Sequence, residues 1–216
     1  MTLLLAIALF FSSTVFSSAA LGKGVYQTVP EFLTEVFSPE EPQQKYLWLT
    51  PELKTSAGDI MKHPVRGLRV RYWRLGVKTA WVMEEIGKEL PITIGVVVNQ
   101  DSITQNSARQ GHVEQVKILA FRESRGWEVR YSAFTAQYLD AKMTSEKKLD
   151  THIDGITGAT LSVRAVTKVA TLALFYHQQV MSTQSKQAQD KSSQNKLLQS
   201  KLSQNKETSP LVTDTP

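Results

Sequence analysis

The stretch "LSVRAVTKVATLALFYHQQV", residues 161–180, decides the fold. It contains neither glycine nor proline, and apolar residues recur in it at spacings of three and four: Val163, Val166, Ala170 and Leu174. This period predicts a helix with one buried face. We expect the helix to begin at or next to Thr160.

Upstream of this helix the pattern changes to that of strands. Runs rich in β-branched and aromatic residues alternate with glycine and polar turn signals, which predicts strands at residues 68–75, 79–86, 92–99 and 113–122. The connections are short, so neighbouring strands should be antiparallel. Residues 127–131 suggest a further brief strand, and residues 134–139 a short helix.

Hydroxyl residues that precede proline indicate where helices start. Ser38 and Thr50 each stand before a proline that would occupy the first helical turn. Short amphipathic helices are expected near residues 30–37 and 51–62. Together these elements predict an α+β domain over residues 25–181, with a small antiparallel sheet and flanking helices.

Composition limits the kind of protein that this chain can be. Its 216 residues, 41% of them apolar, suffice for one sizeable core. The 25 basic and 20 acidic residues are too evenly balanced and too scattered to indicate nucleic-acid binding. The chain has no cysteine, which excludes disulfides, thiolate metal sites and cysteine catalysis. Redox chemistry would therefore require a cofactor.

Residues 1–20 resemble a secretory signal peptide. An apolar run from Leu3 to Phe11 leads to Ser18-Ala19-Ala20, a small-residue pattern suited to signal peptidase. Cleavage near Ala20 would place the mature protein in the periplasm, where a chain without cysteine is insensitive to oxidants. The alternative is a retained membrane anchor. The serines argue against an anchor, because they interrupt the apolar run before it reaches bilayer length.

Residues 182–216 form a polar tail rich in Gln, Ser and Lys. Five of its lysines are equally spaced five residues apart, a period that fits neither a helix face nor a strand face: Lys186, Lys191, Lys196, Lys201 and Lys206. So few apolar residues cannot offset the entropy of ordering, and the tail is expected to be disordered or transiently helical. Weak contact of the lysines with anionic lipid or an acidic partner is the functional alternative.

The turn "DGITGAT", residues 154–160, precedes the long helix and carries more small and hydroxyl residues than a helix cap requires. Free N–H groups and the positive dipole end of a helix N-terminus favour a phosphate. Gly158 and Ala159 leave the approach open, and Thr160 offers a hydroxyl there. The alternative is a tight turn with Thr160 as N-cap. A nucleotide-binding loop is the weaker interpretation, because its lysine and spacing are missing.

These seven residues resemble the flavinylation motif of the FMN-binding domain family, in which Asp, two variable residues and Ser or Thr precede Gly-Ala-Thr. The family includes the flavin-carrying subunits of the sodium-translocating NADH:quinone reductase and of the Rnf electron-transfer complex. Looser similarity extends over residues 65–180. The resemblance implies FMN joined by a phosphoester to Thr160, with Asp154, Thr157, Gly158 and Ala159 as recognition and turn residues. It also implies a flavin transferase that uses FAD and magnesium.

The resemblance implies an exported electron carrier that works between membrane or periplasmic redox partners, since no acid, base or substrate pocket can be recognised. A binding or assembly module without flavin is the alternative. Trp81 and Trp127 are candidates to stack on the flavin or to lie in the core. Glu123 and Arg125 are candidates to contact its ring or to form a charged hairpin tip. The four histidines lack metal-ligand spacing, and no metal site is predicted.

Overall fold

A computed structural model describes residues 24–100 and 110–207 of the chain. The predicted signal peptide at residues 1–20 and the last residues of the tail lie outside these ranges. The division into signal segment, domain and tail therefore stays a prediction.

Five strands form one antiparallel sheet, in which each strand pairs with its neighbour in the chain. Together with the helices this confirms the small α+β fold. Four strands lie within two residues of their predicted bounds, while β1 was not predicted because it is a short edge strand whose first three residues are polar. The strands are β1 Gln43–Trp48, β2 Arg69–Leu75, β3 Lys78–Ile86, β4 Pro91–Gln100 and β5 Gly111–Phe121.

One helix precedes β1 in the chain, and a second helix follows it. Helix α1, Val29–Phe37, starts with a capping box in which the Thr28 hydroxyl accepts from the Glu31 N–H at 3.3 Å and the Glu31 carboxylate accepts from the Thr28 N–H at 2.8 Å. Helix α2, Pro51–Met61, starts as predicted, with the Thr50 hydroxyl as its cap. The expectation for Ser38 was wrong. Its N–H donates to the Thr34 carbonyl and ends α1, because β1 follows within a few residues.

The two faces of the sheet are covered by different helices. Ile94, Val96 and other inward residues of β4 pack in the main core with α2 and the long C-terminal helix, whereas Val97 on the opposite face packs with Phe32 of α1. This alternation follows the two-residue period of a strand and produces two apolar layers on one sheet.

The C-terminal helix α4 extends from Thr160 to Glu207. Its first turns lie across β3, β4 and β5, as the apolar stripe predicts. The helix continues beyond Val180 through residues that were expected to be disordered or transiently helical. That stretch lacks glycine and proline and is rich in Gln, Lys and Leu, which favour helix even without a packed face. Val180 is the last buried side chain in the described part of α4.

The segment between β5 and α4 differs from its prediction. Residues Trp127–Arg130 form a 3-10 turn instead of a strand, followed by the short helix α3, Ser132–Thr135, and a second 3-10 turn at Ala136–Tyr138. A further strand has no free edge here, because the outer side of β5 already bonds to Ala141 and Asp140 at Val113 and to Gly24 at Phe121.

Candidate functional site

A cleft of about 820 Å³ lies at the N-terminal end of α4. Its volume is within the range of small-molecule sites, about 300–1,000 Å³. Three segments that are distant in sequence form its walls: residues 88–90 at the tip of the β3–β4 hairpin, residues 122–125 after β5, and residues 158–162 at the start of α4.

The backbone of residues 156–163 explains how α4 starts in this wall. Gly158 has a φ of 83°, a conformation that glycine adopts without strain. The Ala159 N–H donates to the Ile156 carbonyl at 2.9 Å and closes the turn, and the Ala159 carbonyl then accepts from the Val163 N–H at 2.9 Å. Ala159 thus takes the cap position, and Thr160 is the first residue within the helix.

Thr160 is exposed in the cleft, and its hydroxyl makes no hydrogen bond to a described residue. It does not cap the helix, since the residue at the cap position is Ala159, which has no side-chain oxygen. The N–H groups of residues 160–162 precede the first intrahelical bond and are free of helical partners. The arrangement offers a nucleophilic hydroxyl and an anion-binding backbone at one point.

The opposite wall is held by the Glu123 carboxylate, which accepts hydrogen bonds from three successive backbone N–H groups of the hairpin tip. These belong to Lys88, to Glu89 at 3.1 Å and to Leu90 at 3.4 Å. A Cβ atom on Gly87 would lie 2.5 Å from Glu123 Oε1, so glycine is required for this close approach. Glu123 therefore fixes the position of the hairpin tip that forms this wall of the cleft.

The charges of the cleft favour an anion. Of its three basic side chains, Lys88 pairs with Glu89 at 3.1 Å, and Arg122 donates to Thr93 at 3.2 Å. The Arg125 guanidinium has no hydrogen bond or ion pair with a described residue. An unpaired guanidinium beside free backbone N–H groups is suited to bind a phosphate.

The structure brings only part of the predicted site together. Gly158, Ala159 and Thr160 line the cleft, whereas Asp154 and Thr157 are exposed and are not among its lining residues. The Asp154 N–H donates to Gln137 Oε1 at 2.7 Å, which ties the loop to the domain. The side chain of Asp154 faces His152, with 3.7 Å between Oδ1 and Nε2.

The two candidate tryptophans have different surroundings. Trp81 is fully buried, stacks on Tyr72 with 4.7 Å between ring centroids and belongs to the core. Trp127 is 39% exposed and packs edge-on against Tyr131, outside the residues that line the cleft. Within residues 24–100 and 110–207, no three His, Asp or Glu side chains are grouped so that they could hold a metal ion.

Fold and cleft together define a small α+β domain with an open cleft at the start of its long helix. Residues 87–174 match the model of the FMN-binding domain, which supports an FMN-binding domain over this segment and FMN as its cofactor. All residues that line the cleft lie within the matched segment. No curated protein and no solved structure was found to match the chain.

Sequence reasoning missed several residues of the cleft. Lys88, Leu90 and Arg122 come from hairpin and strand ends that looked like ordinary surface turns, and no local pattern distinguishes them. A signal was present only for Glu123 and Arg125, whose charges at a predicted hairpin tip were weighed as possible flavin contacts.

Among the described residues, no helix combines the length and apolar character needed to cross a membrane.

Proposed function

We propose that this chain is an exported flavoprotein that carries FMN joined through its phosphate to Thr160 and relays electrons between redox partners. The observation that carries the proposal is the position of Thr160, whose exposed and unbonded hydroxyl lies in the cleft of an FMN-binding domain.

The residues around Thr160 suit a phosphoester. In the proposed maturation step, Thr160 Oγ1 forms a bond to the FMN phosphorus of FAD, the phosphoanhydride bond breaks, AMP leaves and the hydroxyl proton is released. The free N–H groups of the first helical turn and the Arg125 guanidinium would hold the phosphate oxygens. A separate flavin transferase supplies FAD and magnesium.

A covalent link is useful to a carrier. When bound, FMN supplies one- and two-electron transfer, and attachment through the phosphate leaves its ring free for partners. The link also prevents loss of cofactor outside the cytoplasm. Asp154 and Thr157, which stand away from the cleft, are proposed to be read by the transferase instead of by the flavin.

Replacing Thr160 with alanine tests the attachment. After co-expression with a flavin transferase, the wild-type chain should gain the mass of FMN less one water and keep its fluorescence in denaturing electrophoresis. Thr160→Ala should lose the label completely. Its free energy of unfolding should change by no more than about 0.5 kcal/mol, because the side chain makes no bond that the helix needs.

Thr157→Ala removes an exposed hydroxyl three residues away that does not line the cleft, and it separates weaker recognition by the transferase from loss of the acceptor. It should retain at least some label on Thr160. A folded Thr160→Ala chain that still carries covalent flavin would refute the site. A wild-type chain that remains unlabelled, under conditions that label another family member, would favour the flavin-free binding or assembly module.

A further inference from the structure

A second cavity, of about 530 Å³, lies away from the FMN cleft between β2, β3, α4 and the segment that follows α2. Its walls are mainly apolar, formed by Met61, Val65, Val70, Met83, Leu172 and Tyr176. Leu172 is the only lining residue within the segment that matches the FMN-binding domain. The cavity is therefore a feature of this chain's additional N-terminal elements.

His63 and Tyr176 belong to the lining of the cavity. His63 Nε2 bonds to the buried Glu85 carboxylate at 2.9 Å, and Lys168 Nζ bonds to the same carboxylate at 3.0 Å, so the charge of Glu85, which does not itself line the cavity, is compensated. Tyr176 packs on Trp81 with 5.6 Å between ring centroids.

The side chain of Tyr176, in the lining of the cavity, carries an unsatisfied polar atom. Its side chain is fully buried, and its hydroxyl has no hydrogen-bond partner among the described residues. Burial raises the pKa of Tyr176 to about 12, so the hydroxyl is a donor at neutral pH. A buried donor without an acceptor is costly, and a bound molecule that brings an oxygen atom would remove this cost.

The mouth of the cavity carries an unpaired cation. Arg66 is exposed and has no hydrogen bond or ion pair with a described residue. Of the two groups left unsatisfied, the Arg66 guanidinium can only donate, and the Tyr176 hydroxyl can donate as well as accept. A ligand with an acceptor for each group and apolar surface between them would satisfy both.

We propose that this cavity binds an acyl chain with a carboxylate head at Arg66 and an oxygen acceptor, such as a ketone, near its far end at Tyr176. The chain lies against Met61, Met83 and Leu172. Tyr176 lines the cavity while its hydroxyl is shielded from solvent, so an acceptor reaches the hydroxyl when a neighbouring side chain moves, and the lining includes two flexible methionines.

Titration calorimetry on the full chain with decanoate and 9-oxodecanoate tests the proposal. Both should bind with one-to-one stoichiometry, and the oxo acid should bind about fivefold or more tightly because it satisfies Tyr176. Shortening decanoate to octanoate should weaken binding by about fourfold for each CH₂ removed.

Variants separate the parts of the site. Arg66→Gln should weaken both ligands by about fivefold or more, whereas Lys62→Gln, a nearby cation that does not line the cavity, should leave them unchanged. Val65→Trp should fill the mouth and abolish binding. Tyr176→Phe should remain folded, because it deletes only the unpartnered hydroxyl. This variant should bind decanoate and 9-oxodecanoate with equal affinity.

The proposal is overturned if neither acid binds, if Arg66→Gln and Val65→Trp leave binding unchanged, or if the wild type does not distinguish the two acids. Preference for the oxo acid that persists in Tyr176→Phe overturns it as well. Dimerisation that Val65→Trp abolishes would assign the cavity to a second copy of the chain instead. None of these results depends on whether Thr160 carries flavin.

Discussion

Replacing Glu123 with alanine should loosen the hairpin tip that forms one wall of the cleft at the start of α4. The carboxylate accepts from the N–H groups of Lys88, Glu89 and Leu90, of which the last two lie at 3.1 and 3.4 Å. A hydrogen bond to a charged group contributes about 1.5–3 kcal/mol, but water replaces part of it at this half-exposed site. We expect a net local loss of about 1–2 kcal/mol, which is about 5–30-fold in the opening equilibrium.

Amide hydrogen exchange measured by NMR reports this opening directly. In Glu123→Ala, the amides of residues 88–90 should exchange about 5–30-fold faster, while the core strands keep their protection. Flavin labelling should also slow, because the wall opposite Thr160 is no longer held in place. Glu89→Ala is the control, since Glu89 pairs only with Lys88 and both side chains are about 70% exposed.

Gly87 provides a second test of the same contact. A Cβ atom there would lie 2.5 Å from Glu123 Oε1, so Gly87→Ala should displace the carboxylate and reproduce the faster exchange of Glu123→Ala. The double variant should resemble the Glu123→Ala single variant, because the same bonds are lost only once. Unchanged exchange at residues 88–90 in Glu123→Ala, or strictly additive effects in the double variant, would refute the reasoning.

Two further predictions concern pH and export. Burial, with smaller contributions from Arg74 and His112, lowers the pKa of His177 to about 4, so the unfolded chain takes up this proton first. The stability from neutral His177 should be complete above about pH 6.5 and decline by up to about 3 kcal/mol as the pH falls towards 4. Urea unfolding between pH 7 and 4.5 should show a shallower decline in His177→Gln, and an equal slope in both chains would contradict this. For export, N-terminal sequencing of the protein from its host should begin near Leu21, whereas an intact Met1 on a cytoplasmic protein would exclude the periplasmic carrier.

The elements that could be predicted are those whose signal is local. The stripe that includes Val163 and Val166 indicated α4, and alternation in the runs around Trp81 and Val96 indicated central strands. β1 was missed, and residues 127–131 were mistaken for a strand. Whether either segment forms a strand depends on which edge of the sheet is free to pair with it. The continuation of α4 beyond Val180 agrees with the transiently helical alternative for the tail, whose residues favour helix although few of them are apolar.

The sequence by itself indicated the turn that resembles a flavinylation motif, because seven adjacent residues carry the resemblance and Thr160 needs only the turn before α4 to be exposed. It also indicated one α+β domain, since the helix and strand periods are properties of neighbouring residues. Only the tertiary structure decided what surrounds Thr160. Glu123 lies 37 residues away in the chain, and its contact with the hairpin tip arises from the pairing of β3, β4 and β5. The cavity at Tyr176 likewise depends on α2 and α4 meeting on the same face of the sheet, a long-range contact for which no residue pattern provides a signal.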